Sequence, residues 1–163
     1  MIIVRKNTLI YNDKSFQCAI GKSGTAEKKI EGDGCTPLGT YLIKEVFYRS
    51  DRVNLPKISF PTTAIESDFG WCDDINSEEY NKFIKFPFKE SAERLFRSDN
   101  IYDIVCVLNY NLDPIVKNKG SAIFLHIARD DYLGTQGCVA ISKKDLVILL
   151  KMININTKLS ITN

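Results

Sequence analysis

The sequence predicts a mainly β fold, a β-sandwich or barrel with one or two short helices packed against it. Three observations lead there. Short runs rich in Val, Ile, Thr, Tyr and Phe recur along the chain, separated by Gly, Pro, Asn and Asp. Only two stretches, near residues 89–96 and 143–152, carry helix-forming composition. No internal repeat, low-complexity tract or linker interrupts the 163 residues, so residues 1–163 are expected to form a single domain.

Ile2 to Arg5, Thr8 to Tyr11 and Phe16 to Ile20 are short strands between polar turns. Residues 21–40 contain Gly21, Gly24, Gly32, Gly34, Pro37 and Gly39 and predict a loop of high turn content. Thr40 to Arg49 is β-branched and aromatic, a long strand. Residues 50–80 are irregular, broken by Pro56, Pro61 and Gly70, with an extended piece near Thr62 to Ile65. Lys89 to Phe96 is the first expected helix. Ile101 to Tyr110 is the strongest strand, turned by Asn111 to Pro114. Ser121 to Ile127 is nearly all apolar and reads as a strand buried on both faces, and Gly137 to Ile141 as a short one. Ser142 is a natural N-cap for a helix reaching about Met152, with Asp145 acidic in its first turn. Thr157 to Ile161 closes the chain as a strand.

Hydrophobic residues make up 44% and charged residues 26%, an ordinary globular balance. The formal net charge is +2, too near zero to argue for a nucleic-acid or membrane-surface partner. The pairs Lys28-Lys29 and Lys143-Lys144 read as solvated surface. No apolar run approaches the ~20 residues of a membrane span. Arg5, Lys6 and Asn7 interrupt the apolar start, so no secretory signal is read in the chain as given.

The five cysteines form no CxxC, and with one histidine in the chain neither a zinc site nor a dithiol redox centre is expected. Cys18 and Cys106 sit in strand-like apolar runs as small buried hydrophobes. Cys35 and Cys72 lie in loop-like stretches, where pairing in an oxidising compartment stays open.

The single histidine, His126, ends the buried strand, and Cys138 follows it by twelve positions in Thr-Gln-Gly-Cys-Val-Ala. A polar, glycine-bearing loop between them can bring imidazole beside thiol. A free thiol is mostly protonated at neutral pH, and a neighbouring imidazole can take its proton and hold the thiolate as an ion pair. Gly137 lets the backbone turn tightly and keeps bulk away from a substrate. The backbone N–H of Cys138, with a neighbouring amide, is a candidate oxyanion donor. A backbone carbonyl is the first choice to orient the imidazole, ahead of Asp130 and Asp131. Taken singly, a strand-end His and a Gly-Cys pair are equally compatible with purely structural roles.

In order along the chain, these segments resemble the L,D-transpeptidase (YkuD-like) catalytic domain family. Ala122-Ile-Phe-Leu-His126 followed by Gln136-Gly-Cys-Val139, a helix and a last strand looks like the family's catalytic signature. Thr36, Pro37, Gly39 and Tyr41 match its Thr-Pro-x-Gly-x-Tyr/Phe stretch, and Gly70 to Asp74 with Tyr80-Asn81 is similar to one of its branches. The resemblance implies a β-sandwich built on a mixed sheet. It implies Cys138 as nucleophile, His126 as base and later proton donor, and Gly137 as part of the motif loop. The implied partners are peptidoglycan stem peptides or muropeptides. The thiol would attack the carbonyl of the third stem residue, release D-alanine and pass the acyl group to an amine, with no cofactor or metal. The implied compartment is the periplasmic or cell-wall side, although a cytoplasmic enzyme acting on precursors or fragments stays open.

Three departures stand out. Gln136 replaces the motif histidine, Ala140 replaces an arginine two residues after the cysteine, and the His-to-Cys loop is shorter than in the commonest members. The arginine would hold a substrate carboxylate. Arg49, Arg52 and Arg129 are candidate replacements, with solvated surface charge as the plain alternative. Trp71, Tyr80 and Tyr110 are candidate groove residues that would serve equally well as core or turn packing. Gln136 itself is a candidate substrate contact. Asp73-Asp74 is suited to an amine acceptor or to capping a turn. Two rival functions remain. Hydrolysis of the acyl-enzyme would make an L,D-carboxypeptidase or endopeptidase, and an inert Cys138 would make a non-catalytic peptidoglycan-binding module.

Overall fold

A computed structural model describes residues 1–27 and 29–163, so Lys28 of the expected surface pair lies outside the described residues. The strands are β1 (Ile2–Arg5), β2 (Thr8–Tyr11), β3 (Lys14–Ala19), β4 (Thr25–Ala26), β5 (Thr36–Pro37), β6 (Gly39–Tyr48) and β7 (Thr62–Ala64). They continue as β8 (Phe69–Cys72), β9 (Phe83–Lys85), β10 (Ala92–Arg94), β11 (Ile104–Leu108), β12 (Phe124–Ile127), β13 (Val139–Ile141) and β14 (Lys158–Thr162). The helix α1 (Lys143–Met152) lies between the last two strands.

The main sheet runs β11-β12-β13-β3-β2-β1-β14-β6-β7, and β6 pairs back onto β11. That pairing closes the sheet into a barrel. The barrel is mixed: β1 and β14 pair in parallel, as do β12 and β13, while most other pairs are antiparallel. A smaller antiparallel sheet, β10-β8-β9, forms a second layer.

Strand β11 explains how the layers meet. Its five residues are all buried, because both of its faces are covered. Ile104, Cys106 and Leu108 point into the barrel with Val4, Leu9, Ile43, Leu125, Ile127, Val139 and Leu159. Val105 and Val107 point outward and pack with Phe47, Phe69, Trp71, Leu95, Tyr102 and Phe124 beneath the second sheet. Side chains alternate along a strand. In β12, therefore, Leu125 and Ile127 belong to the barrel, while Phe124 and His126 face the second layer. Helix α1 buries Leu146, Leu149 and Leu150 in the barrel core. Its Ser142 cap accepts from the Asp145 N–H at 3.1 Å, as the sequence predicts.

Three sequence expectations change. Lys89 to Phe96 is not a helix: Ala92, Glu93 and Arg94 pair with Cys72, Trp71 and Gly70. A segment this short gains little from helix propensity, whereas burying Leu95 and closing the second sheet rewards an extended backbone. Lys29 is not solvated surface: it is 3% exposed and pairs with Asp33 at 2.7 Å. Residues 50–80, expected to be irregular apart from the piece near Thr62 to Ile65, also contribute β8, which pairs antiparallel with β9. All five cysteines, Cys35 and Cys72 included, are free. Among the described residues no helix is long and apolar enough to cross a membrane.

Removing the cap with Ser142→Ala costs about 1 kcal/mol of stability. Urea unfolding of native and variant protein checks this, and an unchanged midpoint would contradict it.

Candidate active site

The parallel pairing of β12 with β13 sets His126 opposite Ala140. Cys138, immediately before β13, falls beside Phe124 on the same outward face. The connecting loop is fixed rather than loose. Thr135 N–H donates to Ile20 O at 2.9 Å, Lys22 N–H donates to Thr135 O at 2.8 Å, and Ala128 N–H donates to Ile141 O at 2.8 Å.

Two backbone groups hold the Cys138 sulfur. The thiol donates to Ala122 O at 3.1 Å, and Phe124 N–H donates to the sulfur at 3.3 Å. Ala122 owes its unusual left-handed φ of 51° to its neighbours, since its N–H donates to Asn81 Oδ1 at 3.0 Å. Asn81 is itself buried, accepts from Trp71 Nε1 at 2.9 Å and donates through Nδ2 to Asn111 O at 2.7 Å. On the other side of the sulfur, Thr135 Oγ1 donates to Cys138 O at 2.6 Å and accepts from Gly137 N–H at 3.1 Å. Gly137 has φ +139°, and a Cβ there would lie 2.8 Å from Cys35 O and 3.3 Å from Lys29 Nζ. Only glycine fits without displacing the loop that carries Cys138.

His126 Nδ1 lies 2.9 Å from Ile127 O. A carbonyl only accepts, so Nδ1 carries the proton and Nε2 keeps its lone pair. A backbone carbonyl thus orients the ring, while the exposed Asp130 and Asp131 make no hydrogen bond to it. The Tyr102 ring meets the imidazole edge-on, with centroids 5.1 Å apart. The Tyr102 hydroxyl donates to Glu93 Oε1 at 2.6 Å.

Electrostatically the resting pair differs from the ion pair that its composition suggests. Burial pulls His126 down to about 4, against the carbonyls of Ile127 and Ile101, which favour its protonated form. Burial also pushes the Cys138 thiol up to about 12, and the Glu93 charge adds to this. The Phe124 N–H and the Lys29 charge oppose it. Between these values the site rests as neutral thiol and neutral imidazole. Among the described residues no hydrogen bond joins the two side chains directly.

Both groups line a cleft of about 590 Å³. Gln136 and Arg129, both exposed, stand along it, and buried Ala140 reaches it from β13. The other candidates sit elsewhere. Arg49 is clamped on Asp51 at 2.8 and 2.6 Å and lies 3.7 Å over the Phe96 ring. Arg52 holds Asp99 O at 2.8 Å and Asp103 at 3.2 Å. Trp71 is buried behind the site against Phe124. Tyr110 bonds Lys119 O and meets the Tyr41 ring. The cleft also recruits residues that the sequence did not mark: Lys29, Glu31, Glu93 and Arg97. The only local signal for Lys29 is its place just before the Thr-Pro stretch.

The model of the YkuD L,D-transpeptidase catalytic domain matches residues 1–161. The chain belongs to the L,D-transpeptidase catalytic domain family. Among solved structures, Bd1075 of Bdellovibrio bacteriovorus superposes with a TM-score of 0.54 at 18% identity, covering 99% of this chain and 46% of that one. L,D-transpeptidase 3 of Mycobacterium tuberculosis, in complex with a faropenem-derived adduct, gives a TM-score of 0.47 at 10% identity, covering 99% and 59%. L,D-transpeptidase 1 of the same organism gives 0.43 at 9%, again covering 99% and 59%. The chain therefore spans about half the length of these structures. None of the curated proteins searched matches it. Among the described residues no group of three or more His, Cys, Asp or Glu is placed to hold a metal ion.

The buried imidazole makes a signed prediction. Its folded-state value lies below the ordinary 6.5, so the stability it contributes is present above pH 6.5 and is lost as pH falls towards 4. The loss amounts to about 3 kcal/mol by pH 4. The difference in urea midpoints between native protein and His126→Asn, followed from pH 7 to pH 4, should narrow by that amount. A constant difference would contradict it.

Proposed function

We propose that residues 1–163 form one catalytic unit acting on peptidoglycan stem peptides, with Cys138 as nucleophile and His126 as its base. One observation carries the reading: the Cys138 sulfur is pinned at the wall of a cleft, on the strand face that also bears the only histidine. As the sulfur attacks the carbonyl of the third stem residue, its proton passes to His126 Nε2 and a C–S bond forms. The backbone N–H of Cys138 is the nearest candidate to receive the oxyanion, since Gly137 N–H is committed to Thr135. The imidazolium then protonates the amine of D-alanine, which leaves, and the C–N bond breaks. An acceptor amine attacks the thioester, loses its proton to His126, and the thiol is restored.

The neutral resting pair fits this sequence. The proton moves only when substrate fills the cleft and charge begins to develop, so the free enzyme keeps its thiol unreactive. Lys29 would favour the developing thiolate. Its stem crosses two glycines: a Cβ at Gly120 would lie 2.7 Å from Lys29 Cε, and one at Gly137 would lie 3.3 Å from Nζ. Together with Arg129 it is the candidate cation in place of the arginine that Ala140 replaces. Ala140 packs with Ala19, Ala128 and Tyr132 at the edge of the cleft.

A second reading has its own support. A thiol held near 12, with no direct bond to the imidazole, also suits an inert peptidoglycan-binding module. Intact-mass spectrometry after incubation with a carbapenem or a stem tetrapeptide decides between them. The catalytic reading expects a covalent adduct on native protein, none on Cys138→Ala, and formation at least ~100-fold slower on His126→Ala. No adduct on folded native protein would leave the binding module. Product analysis then separates transfer, which yields a joined dimer, from hydrolysis, which yields free tripeptide.

Lys29→Met should slow adduct formation by on the order of tenfold, equivalent to about 1.4 kcal/mol of barrier. An unchanged rate on a variant of native-like melting would remove Lys29 from the reaction.

A further inference from the structure

The side of the barrel behind the cleft combines exposed isoleucines with unpaired cations. The closed ring of the main sheet runs β11, β12, β13, β3, β2, β1, β14 and β6, so β1 stands four strands from β12 in either direction. The outward residues of β1 therefore face away from His126, which lies on the outward face of β12.

Side chains alternate along each strand, and the register sets Ser15, Ile10, Ile3 and Ser160 in one row across β3, β2, β1 and β14. Ile3 and Ile10 are direct cross-strand partners, 40% and 39% exposed. Their neighbours in the row are short hydroxyl residues, so the two isoleucines stand proud of a flat surface. Cations frame the pair at both ends of the strands. Arg5 and Lys6 lie at one end, Lys14 and Lys158 at the other, and all four are exposed. Among the described residues none of them forms an ion pair, whereas Lys29, Arg49, Arg52, Lys82, Lys85 and Arg97 all do. The four strands contain no Asp or Glu, and Asp13 stands at the rim in the turn before β3. The near-zero net charge of the whole chain conceals this local excess.

The pattern selects among occupants. A second copy docked through the same face would bring like charges together. An acidic polymer would match the cations and leave the isoleucines in water. One cross-strand pair is small for the apolar centre of a protein interface. Headgroup phosphates with acyl chains beneath them meet both features, because interfacial binding adds buried apolar area to attraction for anionic lipid. The long stems of Arg and Lys can lie along the apolar centre while their charges reach the phosphates.

We propose that the outer face of β3, β2, β1 and β14 docks the protein on an anionic lipid surface. Arg5, Lys6, Lys14 and Lys158 contact headgroups, and Ile3 and Ile10 enter between them. The cleft then opens away from the bilayer. This docking is independent of the chemistry proposed for the cleft.

Co-sedimentation with lipid vesicles tests it. Vesicles of phosphatidylcholine with about one-third phosphatidylglycerol should bind at least ~10-fold more tightly than phosphatidylcholine alone. The preference should shrink to about twofold in ~1 M salt, where the Debye length is about 3 Å. Arg5→Gln with Lys158→Gln should weaken binding at least ~10-fold, at an unchanged melting temperature. Ile3→Thr with Ile10→Thr keeps strand-forming residues and should weaken it about fivefold. Arg129→Gln, on the cleft side, should bind as native protein does. Equal affinity for the two vesicles, binding to neither, or a loss in Arg129→Gln as large as in the Arg5 and Lys158 variant would each overturn the proposal. Binding to soluble poly-glutamate as tight as to anionic vesicles, and indifferent to the isoleucines, would overturn it in favour of an acidic polymer. A dimer in sedimentation velocity that dissociates in the isoleucine variant would overturn it in favour of a second copy. Should the isoleucine variant melt early, the charge variant decides alone.

Discussion

The site depends on how one sulfur atom is held. Cys138 Sγ sits between the carbonyl of Ala122 and the N–H of Phe124, both at the start of β12. Each is backbone, so the sulfur's place is set by strand pairing rather than by a side chain that can rotate away. The parallel register of β12 and β13 brings Cys138 alongside Phe124 and leaves His126 two residues further along the same face. Ala122 can offer its carbonyl only because Asn81 holds its N–H, and Asn81 stays in place because Trp71 and Asn111 occupy its other positions. The second sheet, which carries Trp71, thus helps to fix the place of the sulfur. Loosening any member of that chain would release the thiol.

Burial is the second constraint. Placing imidazole and thiol together under a second layer removes water from both and favours their neutral forms. The ion pair that a surface Cys-His couple would form is therefore absent at rest. In the proposed mechanism a site built this way stores its reactivity until a ligand supplies charge and dipoles.

Much of this was legible in the sequence, for identifiable reasons. β11 and β12 were readable as Ile101 to Tyr110 and Ser121 to Ile127, because strands covered on both faces are continuous apolar runs. The helix was readable from Ser142 and Asp145, since capping chemistry is local. Cys138, Gly137 and His126 were readable because rare residue types stood in a recognisable order. The failures share one cause: tertiary pairing outweighed local preference. Ala92 to Arg94 has helix-forming composition but was drawn into a strand by the exposed edge of β8. Lys29 looked like loop surface until Gly120 and Gly137 made a slot for its stem. Arg49 and Arg52 looked like free cations, yet Asp51 and Asp103 hold them away from the cleft.

The central claim is that the free protein holds a neutral thiol beside a neutral imidazole. Thiolate absorbance near 240 nm, taken as the difference between native protein and Cys138→Ala from pH 5 to pH 11, measures it directly. The account predicts no Cys138 thiolate step below about pH 10, in keeping with a thiol raised to about 12. A step at or below pH 8 that disappears in His126→Ala would show a preformed ion pair and contradict it.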